Sequence, residues 1–81
     1  MLNHTEAMVR IVQAANNFKS SIVLKYNNRF VDAKSLLGLY TTLADTAEHE
    51  LHVHGPDEEE AKKQMMEVFK QYGLRVKLVE S

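Results

Sequence analysis

Apolar residues recur three or four positions apart at Met8, Ile11, Val12 and Ala15, a spacing that predicts a helix. Its hydroxyl makes Thr5 a good cap for the first turn, and Asn16-Asn17 closes the helix, with Phe18 on the core just beyond. The run Ser21 to Tyr26 is rich in β-branched and aromatic residues and reads as a strand. Asn27-Asn28 accepts the positive φ angles of a tight hairpin, so a second strand from Arg29 to about Asp32 should return antiparallel. Ser35 then precedes Leu36, Leu37, Leu39 and Tyr40, a short apolar helix. Gly38 inside it weakens the helix and lowers the local profile, as suits a surface that another molecule approaches.

From His49 to His54 the pattern alternates, with Leu51 and Val53 on one face and Glu50, His52 and His54 on the other, as in a half-buried strand. Gly55-Pro56 turns the chain, Asp57 is placed to cap, and Glu58, Glu59 and Glu60 put negative charge at the positive end of a helix dipole. Ala61, Met65, Val68, Phe69 and Tyr72 form one apolar stripe that ends at Gly73. The stretch from Leu74 to Val79 alternates apolar with charged residues as an edge strand does. The predicted order is α-β-β-α-β-α-β, without repeats or linkers. At 81 residues the chain supports a single core, so residues 1–81 are taken as one domain.

Composition narrows the function. The absence of cysteine excludes disulfides, thiolate metal sites and thiol nucleophiles. A net charge of −1 with the two signs interspersed offers no basic surface for nucleic acid, and no segment has the length or flanks of a signal peptide or membrane span. A cytoplasmic location is expected. No Gly-rich phosphate loop or Ser-His-Asp arrangement is visible, and neither a cofactor nor enzymatic activity is expected. His52 and His54 share a strand face with the flanking carboxylate of Glu50, a loose metal-binding pattern. A solvated sheet face is the commoner reading, and no metal ligands are assigned.

Three segments resemble the histidine-containing phosphocarrier (HPr) family of the bacterial phosphotransferase system, over roughly the first nine-tenths of the chain. Leu2 to Ala7 is similar to that family's active loop, Gly-Leu-His-Thr-Arg-Pro-Ala, running into the first helix; Asp32 to Leu39 is similar to the regulatory serine segment of Gram-positive members; and Gly55 to Ala61 opens the last helix. The resemblance implies an α+β open-faced sandwich, its antiparallel sheet covered on one face by helices. It also implies a phosphoacceptor at His4, regulatory phosphorylation at Ser35, and contacts with phosphotransfer enzymes, a serine kinase or a transcription regulator through Thr5, Lys34, Leu36, Leu37 and Tyr40.

The departures change the picture. Glu6 and Ala7 stand where the family has arginine and proline, and a carboxylate in the first turn with His4 repels a phosphoryl group that an arginine would neutralise. Ser35 fits its role better, since a phosphate there gains from unpaired helix N–H groups and from Lys34. One residue fewer is expected in the loop near Thr42 to Ala47. The family's first strand precedes the active loop, whereas this sequence opens at the loop. The edge of the His49 to His54 strand then needs a cover, and the tail from Arg75 to Glu80 is expected to supply it as a parallel strand, within the chain or by exchange in a homodimer. The leading expectation is a regulator modified at Ser35 that docks on partner proteins. The alternatives are a true carrier using His4 and a diverged interaction module with neither modification.

Overall fold

The computed structural model describes residues 4–42 and 48–80, the side chain of Thr42 excepted. Residues 1–3, 43–47 and 81 lie outside the described residues, and with them part of the expected active loop and the expected shortening near Thr42 to Ala47. The elements are α1 (His4–Ala15), β1 (Ser21–Tyr26), β2 (Arg29–Asp32), α2 (Leu36–Thr42), β3 (His49–His54), α3 (Glu58–Gln71) and β4 (Val76–Leu78).

Asn27 and Asn28 take φ angles of 52° and 64°, so the hairpin turns as its residues require. β1 pairs antiparallel with β2 and with β3, and β4 lies on the other side of β3, giving the order β2-β1-β3-β4. β4 runs parallel to β3, with His49 opposite Val76 and Leu51 opposite Leu78. The sheet is therefore mixed, with the tail as the expected parallel strand over Val76–Leu78, because α3 carries the chain back along the sheet before β4 begins. Ile22, Leu24, Val31, Leu51 and Val53 line the helix-facing side, against Met8 and Ile11 of α1 and Met65, Val68 and Phe69 of α3. His49 falls on this buried face by the alternation of β3, and its ring lies 5.1 Å from that of Tyr26.

Three local expectations are corrected. Thr5 does not cap α1: the helix already includes His4, so Thr5 is an exposed residue of its first turn. At the other end α1 stops at Ala15, and Asn16 to Phe18 form a turn in which Asn17 N–H donates to the Ala14 carbonyl and Phe18 N–H to that of Ala15. Asp57 makes no side-chain bond to its own helix. Its carboxylate instead accepts the Lys19 N–H (2.9 Å), the Ser20 N–H (2.9 Å) and the Ser20 hydroxyl, which ties the start of α3 to the entry of β1.

Gly38 is the third. A Cβ there would meet Val31 Cγ2 at 2.6 Å, so this glycine lets α2 lie closely on β2 and serves the core side of the helix, not an approaching partner.

The Asp57 cluster gives a pH prediction. The Ser20 hydroxyl first, and then the Lys19 N–H, hold its carboxyl below the usual value of 3.8. The unfolded chain therefore takes up the proton first as pH falls, so the contribution is full above about pH 4 and is lost as pH drops through the folded value. Asp57→Asn should lower stability at neutral pH and flatten its decline below about pH 4. Urea midpoints of both proteins between pH 3 and 7 check this, and parallel curves would contradict it.

Candidate functional site

Helix starts place both candidate phosphorylation sites. His4 is exposed in the first turn of α1, with Glu6 exposed in the same turn, so the structure keeps the carboxylate where the sequence put it. Behind them Tyr72, at the end of α3, lines a shallow depression with Thr5, Glu6, Val9 and Arg10. Val9 was not singled out from the sequence. Its signal was available: it is an apolar residue off the stripe of Met8, Ile11, Val12 and Ala15, and it is 37% exposed.

Ser35 stands one residue before α2 and caps it. Its backbone carbonyl accepts the Leu39 N–H at 3.0 Å, and its Oγ accepts the Gly38 N–H at 3.1 Å. Asp32 sets up this cap: its carboxylate accepts the Lys34 N–H and its carbonyl the Ser35 N–H, both at 2.9 Å. The Lys34 ammonium points elsewhere, donating to the Phe18 carbonyl in the turn after α1 (2.8 Å). Lys34 thus anchors the α2 segment to that turn, and a phosphate on Ser35 would have to draw it away from that bond.

The apolar residues after Ser35 divide sharply. Leu39 is wholly buried, whereas Leu36, Leu37 and Tyr40 are 45%, 75% and 67% exposed. Their helix packs on α1, on whose surface Val9 and Thr5 lie. Three large apolar side chains are thus exposed on one short helix.

The histidines of β3 are held apart. His52 Nε2 lies 3.4 Å from Glu50, while His54 is turned toward Glu58 at 3.8 Å. Among the described residues no group of three or more histidines and carboxylates is placed to hold a metal ion. No helix of the described residues is long and apolar enough to cross a membrane.

The α+β layer thus carries a histidine and a serine at the starts of two packed helices, with exposed apolar side chains beside the serine. A family model described as the PTS HPr component phosphorylation site matches residues 3–71, and the chain belongs to the HPr family, whose members are phosphocarriers and not enzymes. It is 39% identical over 59 residues to the phosphocarrier protein HPr of Cupriavidus necator, covering 72% of this chain and 66% of that one, just under two thirds of its length. Among solved structures it is similar to the catabolite repression protein Crh of Bacillus subtilis, with a TM-score of 0.78 and 29% identity over 91% of this chain and 85% of that one. An HPr dimer from Thermoanaerobacter tengcongensis matches with a TM-score of 0.77 and 28% identity, over 88% and 80% of the two chains.

Proposed function

We propose that this chain is a cytoplasmic phosphotransferase-system protein of one HPr-like domain, acting as a regulator that is phosphorylated on Ser35 and docks on partner proteins. The observation that carries the reading is the exposure of Leu36, Leu37 and Tyr40 on the helix that Ser35 caps. A phosphate at that cap adds nearly two negative charges beside an apolar patch, which changes the partners the patch can accept. The fitting partners are phosphotransfer enzymes, a serine kinase, and a transcription regulator; nucleic acid is not among them. Incubation with the family's serine kinase and ATP should add one phosphate by intact mass, and Ser35→Ala should abolish it. A phosphate retained in that variant would assign the modification to another residue.

A second reading, phosphoryl transfer through His4, is favoured by the exposure of that imidazole at the start of a twelve-residue helix, where backbone N–H groups and the dipole stabilise added negative charge. Glu6 opposes it. Replacing that carboxylate by a guanidinium reverses a charge in the same helical turn as the phosphoryl group, so Glu6→Arg should raise acceptance from the general phosphotransfer enzyme and phosphoenolpyruvate about tenfold or more. No gain in a folded variant would place the obstacle elsewhere, at Ala7 for instance. Absence of both modifications would leave a docking module that has kept the fold alone.

The structurally similar Crh protein is described as a dimer with a swapping domain. For this chain, a homodimer formed by exchange of the C-terminal strand is part of the proposal, supported by the position of β4 at a sheet edge.

A further inference from the structure

The outer edge of β3 is closed by a short segment held at few points. Arg75 accepts the His49 N–H at 3.0 Å, Val79 donates to the Leu51 carbonyl at 3.0 Å, and Val76 and Leu78 are only partly buried against the core. Past β4, Glu80 reaches α3 and meets the Lys62 ammonium at 2.9 Å. Lys62 is nearly covered, with a side-chain exposure of 9%, yet its ammonium also meets Glu59 at 3.2 Å and Glu58 at 3.3 Å.

Three carboxylates thus converge on one cation. Glu58 and Glu59 sit one helical turn before Lys62 and pair with it at no cost in chain ordering, whereas Glu80 pairs only when the whole tail is laid down. The two local carboxylates also repel Glu80. The tail leaves α3 through Gly73, exposed and at φ 70°, and Leu74 stays buried with its N–H bonded to the Phe69 carbonyl, so the strap begins only at Arg75.

We infer that residues 75–80 form a releasable strap latched by Lys62, and that the β3 edge beneath it is an interface for the same strand of a second copy. The occupant follows from identity: a second copy brings the same Val76, Leu78 and Glu80 to the same edge and Lys62, so each contact is reproduced with no new chemistry. This rests on the strand-exchange reading above and adds the switch that controls it.

Two measurements test it. Hydrogen exchange at the His49 and Val79 amides should quicken about three- to tenfold in Glu80→Gln, while the Ala33 amide, bonded to the Ile22 carbonyl between β2 and β1, stays unchanged. Glu59→Gln should slow the same two amides, because it removes a competitor for Lys62. No change in Glu80→Gln, or equal quickening in both variants, would overturn the latch.

For the interface, Glu80→Lys and Lys62→Glu are mixed. Each alone sets like charges at the latch, but in an exchanged pair every tail meets an opposite charge, so the heterodimer should exceed either homodimer by about tenfold in native mass spectra. A responsive latch with no heterodimer would overturn the second-copy interface and the strand-exchange reading while sparing the strap. An unresponsive latch with a wild-type exchanged dimer would overturn only the strap.

Discussion

Gly55→Ala is expected to cost about 3–5 kcal/mol, a large part of the roughly 4–12 kcal/mol that a chain of this size has in total. Gly55 adopts φ 151°, a positive angle that residues with a Cβ rarely take, and this contributes about 1–2 kcal/mol. The new methyl would also lie 2.6 Å from the Ser20 Cα and 2.6 Å from its Oγ. Overpacking of this kind costs about 1–3 kcal/mol where the neighbour can shift, and here it cannot shift easily. Ser20 is buried, and both its N–H and its hydroxyl are held by Asp57, two residues beyond Gly55 itself. Gly55 N–H in turn donates to the Glu58 carboxylate at 3.2 Å, so the turn is braced from both sides. Thermal unfolding followed by circular dichroism should show a fall of about 12 °C or more. Gly73→Ala is the control: its φ of 70° carries a backbone penalty of about 1 kcal/mol, and an added Cβ there meets nothing within 4 Å, so about 1 kcal/mol is the whole expected loss. Equal losses at the two glycines would contradict the packing argument.

Deleting residues 75–81 should destabilise the protein by about 3–5 kcal/mol and promote aggregation. Two effects add. The deletion removes Val76 and Leu78, which pack on the core, with the ladder bonds that Arg75 and Val79 make to β3. It also frees the edge of β3, whose unpaired N–H and C=O groups become a template for strands of other molecules. Leu74 remains and is buried, its N–H bonded to the Phe69 carbonyl, so α3 keeps its end and the loss is confined to the sheet edge. Urea unfolding with light scattering distinguishes the two effects. A truncated protein with unchanged midpoint and solubility would show that β4 adds nothing to the fold.

Much of this architecture was legible along the chain. The helical stripe from Ala61 to Phe69 and the alternation from His49 to His54 each report which face is buried, because burial follows the period of the local backbone. The alternation even places His49 inward. Asn27 and Asn28 define their turn by their own tolerance of positive φ, and Ser35 caps α2 through a bond spanning three residues. His4 and Ser35 were likewise placed at or next to helix starts by motif and local pattern. Less accessible were the positions where one residue has two local uses, as with Asp57, whose carboxylate could have capped α3.

What only the tertiary structure decided has one feature in common: it depends on segments far apart in sequence being brought into contact. Asp57 turns to Ser20 across 37 positions because the start of α3 is set down on the entry of β1. Of the four apolar residues after Ser35, Leu39 became core and Leu36, Leu37 and Tyr40 surface because Gly38 lets α2 rest on Val31 with that one side down. Lys34 was drawn to the Phe18 carbonyl and away from Ser35 by the approach of α2 to α1. The sequence by itself determined the elements, their faces and the serine that caps α2, since those follow from backbone preference and periodicity within a few residues. Which of their side chains face a partner and which face one another was decided by how the elements pack, where the burial of many apolar side chains together outweighs any single local bond.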